Sequence, residues 1–193
     1  NDIMLAARSG KCIRFPVTDV RVFVGRNSTG VRGIKLAEAD EVISMSILLH
    51  SDATSEERDE YARIASAIKR ISAERGDDSC VSPEDTGLLN VLTTEKYKEM
   101  AEREQFILSV TSTGYGKRTS SYEYRVTGRG GQGIANMEMS ARNKEIVSSF
   151  PIEDDNQIMM VTDGGKLIRM PVKDIRICLL YTSPSPRDLS TSR

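Results

Sequence analysis

Tryptophan is absent from the 193 residues, histidine occurs once, and phenylalanine and tyrosine together make up only 5% of the chain. A zinc site or a Ser-His-Asp triad would have to hang on His50 alone, and a solvated or strand-end imidazole is expected there instead. The three cysteines, Cys12, Cys80 and Cys178, lie far apart. Their spacing matches no metal site or disulfide framework, and they read as unpaired small apolar residues in a reducing cytosol. No apolar run reaches the ~18 residues of a membrane span. No H-E-x-x-H, Walker loop, G-x-S-x-G or convincing carboxylate pair is present, and Asp154-Asp155 read as a solvated turn. Phe15, Tyr115, Tyr122 and Tyr124 lack the pattern of a single-strand stacking platform. The sequence opens directly into a strand-like run, so the native N-terminus is expected upstream.

What is present is a soluble globular composition, 38% hydrophobic and 28% charged, with a formal net charge of −1. That balance conceals a division: residues 51–104 carry 14 acidic and 8 basic side chains, and the rest carries 14 acidic and 19 basic. The basic part is repetitive. Asp2–Arg21 aligns without a gap to Gln157–Arg176 with ten of twenty positions identical, among them Gly10/Gly165, Lys11/Lys166, Arg14/Arg169 and Pro16/Pro171. A looser third copy matches Ile107-Leu108-Ser109-Val110-Thr111 to Ile158-Met159-Met160-Val161-Thr162.

Each copy reads as an antiparallel hairpin: an apolar strand, a Gly-containing turn, a second strand bearing Lys or Arg. A glycine-rich stretch (Gly30–Ile34, Gly130–Ile134) and a final apolar strand follow in the first two. Four short strands in about 50 residues predict propeller-like blades. The expected fold is all-β, with β-pinwheel or propeller-like blades of four antiparallel strands, about two and a half of them. One blade falls at 2–48, a second at 105–153 and the first half of a third at 154–177. Residues 49–104 are an acidic helical insert. Thr54-Ser55-Glu56-Glu57 offers a capping box, and Tyr61, Ile64, Ala65, Ile68 and Ile71 recur at helical spacing toward Gly76. A second helix is expected over about 94–104, with Tyr97, Met100 and Ala101 as its apolar face. Residues 178–193 bear no relation to a blade and read as non-native or frame-shifted sequence.

Gly128-Arg129-Gly130-Gly131-Gln132-Gly133 matches G-x-G-x-x-G, but no helix is expected after it to hold a pyrophosphate, which argues against a dinucleotide site. Its glycines instead let backbone N–H groups approach a phosphate, or form a tight bend. The Gly-Lys turns recur: Lys11 with Arg14, Lys117 with Arg118, Lys166 with Arg169. Equivalent positions of successive blades fall along one rim, so these pairs predict a basic track for duplex phosphates. Arg26, Arg32, Lys35, Arg125 and Arg129 complete the candidate DNA-binding set. As turn charges, Lys117 and Arg118 would be dispensable for folding.

Gly30-Val31-Arg32-Gly33-Ile34, Gly114-Tyr115-Gly116-Lys117-Arg118-Thr119 and Gln157-Ile158-Met159-Met160-Val161-Thr162-Asp163 resemble the C-terminal domain of the bacterial DNA gyrase A protein. The resemblance covers about 2–48 and 105–177 and points to the fourth, fifth and start of the sixth blade. It implies a DNA-wrapping domain supporting ATP-dependent negative supercoiling by a type II topoisomerase. The gyrase B protein would be the partner in a heterotetramer, ATP and Mg2+ would be needed only elsewhere in the holoenzyme, and the location would be cytoplasmic and chromosome-associated. The family's Gln-Arg-Arg-Gly-Gly-Lys-Gly box is present only as a degenerate echo at Gly128–Gly133. None of Tyr61, Tyr97, Tyr115, Tyr122, Tyr124 or Tyr181 sits in the motif of its catalytic tyrosine, so no catalytic residue, no cofactor and no metal ligand is expected in this chain. Alternatives are the corresponding domain of topoisomerase IV, serving decatenation, and a propeller used as a protein-interaction scaffold.

Overall fold

The computed structural model describes residues 1–75, 81–140, 143–178 and 180, in two compact units, 1–50 with 105–193, and 51–104. In the first unit every repeat begins with a hairpin. Strand β1 (Asp2–Ala7) pairs with β2 (Lys11–Pro16), β4 (Phe106–Thr111) with β5 (Gly116–Ser120), and β8 (Gln157–Val161) with β9 (Leu167–Pro171). The pairing β3 (Val42–Leu48) to β1 recurs as β7 (Ile146–Ile152) to β4, each with a register shift at the same place, Ala6/Ala7 and Val110/Thr111. Each hairpin turn places one glycine at positive φ, Gly10 at 88°, Gly114 at 82° and Gly165 at 74°, a backbone state that other residues reach only with strain.

The four strands of a blade do not all come from one repeat. The first sheet runs β3-β1-β2-β6, and β6 (Ile134–Ala135) belongs to the second repeat. It pairs Ile134 with Cys12 and Ala135 with Lys11. Just before it, Thr127 N donates to Arg14 O at 2.8 Å in a parallel bridge of Arg14 with Val126. The next junction repeats this: Cys178 N donates to Arg118 O at 2.7 Å, and Arg118 bridges Ile177. The second and third repeats therefore each lend a segment to the blade before them. Gly133 makes this possible, because a Cβ there would stand 2.3 Å from Cys12 O.

Alternation along each hairpin gives it two apolar faces. Met4, Ala6, Cys12 and Leu48 pack with Ile107, Tyr124 and Leu180 between the first and second blades. Leu108 and Ile152 pack with Ile158, Met170, Val172 and Ile175 between the second and third. Leu180 thus lies in a core although its surroundings read as unrelated to a blade; Leu179 and residues 181–193 lie outside the described residues.

The second unit is built on α1 (Ser55–Arg75) and α2 (Thr94–Arg103). The capping box forms: Thr54 N donates to Glu57 Oε2 at 2.7 Å and Glu57 N to Thr54 Oγ1 at 3.2 Å. Tyr61 and Ile64 are buried, and the Tyr61 and Tyr97 rings stack at 4.9 Å. Tyr97 and Met100 face inward as expected, whereas Ala101 faces solvent, so the apolar stripe of α2 is narrower than its sequence suggests. Gly76, the expected helix end, lies outside the described residues.

Glu60 is the buried charge of this unit. Its carboxylate accepts the backbone N–H groups of Asn90 at 2.7 Å, Val91 at 2.9 Å and Leu92 at 3.0 Å. Desolvation acts to raise its pKa, but these three bonds and the nearby Arg63 outweigh it and hold the carboxyl below its usual range. A depressed acid contributes stability above its unfolded pKa of about 4.3 and loses it as pH falls through the folded value. The α1 amides should therefore lose hydrogen-exchange protection progressively below about pH 4.3. In Glu60→Gln this acid-dependent loss should vanish and protection at neutral pH should already be lower. Unchanged protection at both pH values would contradict the assignment.

Candidate nucleic-acid interface

The strand registers fix which basic residues are equivalent. Asp2 faces Pro16, Phe106 faces Ser120 and Gln157 faces Pro171, so the hairpins superpose without a gap. Arg14, Arg118 and Arg169 share one position, and Lys11 and Lys166 share another with Tyr115. Lys117 is not their counterpart. The step Gly116-Lys117 stands two residues beyond the true turn glycine, Gly114, which puts Lys117 at the inward position held by Ile13 and Ile168.

That register corrects three of the expected contacts. Arg14, Lys117 and Arg118 are 2%, 0% and 3% exposed. Arg14 Nε donates to the buried Asp2 carboxylate at 2.7 Å, Nη1 to Ser121 O at 2.7 Å and Nη2 to Leu49 O at 2.8 Å. His50 Nδ1 lies 2.6 Å from the other Asp2 oxygen, so the lone histidine ends a strand in a polar contact. The Arg118 guanidinium stacks 4.2 Å over the Phe106 ring and reaches Asp154. Lys117 Nζ donates to Leu180 O. These cations fasten one repeat to the next instead of projecting from turns.

Burial pushes the Lys117 ammonium down to about 8, against the attraction of Cys178, Cys12 and Glu123. Burial also pushes the Cys12 thiol up to about 12, with Lys117 opposing. The sister repeats hold isoleucine at the Lys117 position, so Lys117→Ile should keep or raise the melting temperature, whereas Lys117→Ala, which loses the same bond to the Leu180 carbonyl, should lower it by leaving a cavity as well. The pH response has a definite sign. Between about pH 8 and 9 the unfolded chain holds the Lys117 proton more tightly, so stability rises, by at most about 1.4 kcal/mol per pH unit. From pH 9 the Cys12 thiol opposes this, since only the unfolded thiol ionises there. Melts of wild type and Lys117→Ile between pH 7 and 9 check it, and identical slopes would contradict it.

The other eight candidates, Lys11, Arg26, Arg32, Lys35, Arg125, Arg129, Lys166 and Arg169, are exposed. Three converge where the glycine-rich stretches of the first two repeats pair. Gly130 N donates to Gly33 O at 2.6 Å and Lys35 N to Gly131 O at 2.8 Å. Arg129 Nε donates to Asp19 O at 2.9 Å and Nη1 to Arg32 O at 3.2 Å. Arg32, Lys35 and Arg129 are thereby drawn onto one glycine-paved strip, with Lys11 opposite Ala135 where the strip runs into β6. Arg125 precedes the bridge residue Val126, and Arg26 lies in the exposed loop 21–30. On β9, Arg169 Nε donates to Gln157 Oε1. The G-x-G-x-x-G stretch passes into a strand, not a helix, so it forms no pyrophosphate cradle.

A buried polar chain beside this strip has no signature in the sequence. Tyr124 Oη donates to Asn136 Oδ1 at 2.8 Å, Asn136 Nδ2 donates to Ser109 Oγ at 2.9 Å, and Ser109 Oγ meets Ser149 Oγ at 2.9 Å. It ties the lent segment to β4 and β7. Among the described residues no group of His, Cys, Asp and Glu could hold a metal ion, and no helix is long and apolar enough to cross a membrane.

Hairpin blades that pack face to face and lend segments to their neighbours define a propeller-type domain of the pinwheel kind. A family model for the DNA gyrase C-terminal domain, a β-propeller, matches residues 1–48, 105–152 and 156–178, and the chain belongs to that family. A curated relative, the DNA gyrase A protein of Granulibacter bethesdensis, is 49% identical over 190 residues, covering 92% of this chain and 20% of the relative. The chain thus spans about a fifth of that relative's length. Two solved structures are similar at 18% identity: the C-terminal domain of DNA topoisomerase IV, at a TM-score of 0.62 over 96% of this chain and 41% of that one, and the DNA gyrase A C-terminal domain, at 0.52 over 90% and 39%. The family model passes over 49–104, but the match to the G. bethesdensis protein leaves out too few residues to omit that unit.

Proposed function

We propose that this chain is a DNA-binding and DNA-wrapping part of a gyrase A protein, holding duplex DNA by its phosphates during supercoiling by the complete type II topoisomerase. The observation that carries this reading is the glycine-paved strip, where Arg32, Lys35 and Arg129 stand exposed on two segments bonded backbone to backbone, with no carboxylate among the described residues paired to them. Like charges held together in water raise the local potential and attract a polyanion, and close-packed glycine backbone admits a phosphate chain. Lys11, Arg26, Arg125, Lys166 and Arg169 extend the positive surface, whereas Arg14, Lys117 and Arg118 support it from inside. No α-helix offers side chains to a groove in the described part of this unit, so the reading is of backbone rather than base edges. ATP, Mg2+ and a gyrase B partner belong to the complete enzyme; its location on the chromosome in the cytoplasm follows from the same reading. Fluorescence anisotropy with two duplexes of unrelated sequence tests it. Equal affinities are expected, and a tenfold preference for one sequence would contradict it.

A further inference from the structure

The basic strip is a composite of two repeats, and its halves meet through a short ladder. Gly130 N donates to Gly33 O and Lys35 N to Gly131 O, and the lent segment then enters β6, which pairs with β2 at two residues. So short a ladder holds weakly by itself. Asn136, the residue after β6, supplies further bonds and is 0% exposed. Its Oδ1 accepts from Tyr124 Oη, its Nδ2 donates to Ser109 Oγ, and Ser109 Oγ meets Ser149 Oγ. The far end of the lent segment is thereby fastened to β4 and β7.

The equivalent positions of the sister repeats are apolar. Ser109 faces Ser149 as Leu5 faces Met45, and the third hairpin holds Met160 in the place of Ser109. Val20, Tyr124 and Ile175 each close a one-turn helix behind the second strand. Gly33-Ile34-Lys35-Leu36 aligns with Gly133-Ile134-Ala135-Asn136. Leu5, Val20 and Leu36 pack into one apolar cluster, and Met160 and Ile175 into another. The fold therefore accepts apolar side chains at these positions, and stability does not account for the polar set. A buried hydrogen-bonded network is satisfied in one arrangement, whereas apolar side chains keep contact through small displacements.

We propose that Asn136 is a positioning residue for the DNA-gripping strip: buried out of reach of DNA, it fixes the lent segment so that Arg129, Gly130 and Gly131 stay in register with Arg32, Gly33 and Lys35. The inference rests on the phosphate-gripping reading of that strip. Binding groups hold their geometry when the elements beneath them are locked by hydrogen bonds, and Asn136 is that lock for the half of the strip contributed by the second repeat.

Hydrogen exchange and DNA binding on the full 193-residue chain test it. Ser109→Ala, Tyr124→Phe, Asn136→Leu and Ser149→Ala combined remove every member of the network at nearly constant shape, so the melting temperature should stay close to wild type. Exchange at the Gly130 and Lys35 amides should nevertheless become about tenfold faster, with the β4 and β7 amides unchanged. The slope of log DNA affinity against log salt should flatten by about 0.9, the loss of one phosphate contact. Tyr124→Phe alone, which keeps the ring and strands only the Asn136 carbonyl, should speed exchange at the same two amides. Unchanged exchange at those amides in both variants, or an equal rise throughout both hairpins, would overturn the positioning role. The exchange arm uses no DNA, so such a result in a chain that still binds duplex overturns this role alone. A wild-type chain without salt-sensitive affinity would instead overturn the DNA reading, and the role with it.

Discussion

Arg14→Ala should destabilise the first unit by about 3–5 kcal/mol, because it strands the buried Asp2 carboxylate and two backbone carbonyls at once. The guanidinium is engaged with three different segments, so the loss severs strand β1, the end of the first repeat and the second repeat from one another. Asp2 retains His50, which moderates the penalty without replacing a three-way bond. Arg118→Ala should cost less, since its carboxylate partner Asp154 is exposed and returns to water. Lys11→Ala, on the same strand as Arg14, should move stability by no more than about 0.5 kcal/mol. Thermal or urea melts of the three variants give the ranking, and an Arg14→Ala protein as stable as Lys11→Ala would refute the structural role given to this arginine.

The opposite pattern is expected for the strip. Converting Lys11, Arg32, Lys35 and Arg129 together to glutamine should lower the melting temperature only slightly, because these side chains are exposed and only Arg129 gives up hydrogen bonds, those to Asp19 O and Arg32 O. The effect on duplex DNA should be large. Each lost phosphate contact removes about 0.9 from the slope of log affinity against log salt, so four should flatten it by about 3 to 4 and weaken binding at low salt by ~10² or more. Binding measured on the same preparation as the melt separates the two effects. A variant that binds as tightly as wild type would place the DNA contact elsewhere on the surface.

Much of the architecture was legible in the sequence because repetition is independent of detailed packing. Half-identity between Asp2–Arg21 and Gln157–Arg176 implies two equal hairpins, and Thr54 with Glu57 marks a helix start through local bonds alone. The strand lent by Ile134–Ala135 was not legible: which sheet a two-residue strand joins is decided by tertiary contacts with Cys12 and Lys11, not by its own pattern. The misassignment of Lys117 has a similar cause. Tyr115-Gly116-Lys117 imitates the Gly-Lys turn of its sister repeats, and a two-residue offset keeps a side chain on the same face while moving it from the turn into the strand interior. Positive φ at Gly114 rather than Gly116 settles the register, and that is a property of backbone, not composition. The inward placement of Arg14 is visible only with its partner: an aspartate on β1, two residues along from the position that faces Arg14, is the one hint the sequence holds, and such a diagonal pair also occurs on exposed faces.

The most direct test of a phosphate-gripping surface is duplex affinity as a function of salt, read by anisotropy on the complete chain. Eight of the candidate basic side chains are exposed, and if six meet phosphates the slope of log affinity against log salt is about −5. Affinity should then fall ~10³-fold between 50 and 200 mM salt, by the same factor for two unrelated sequences. An affinity that does not change over that range would contradict the phosphate grip.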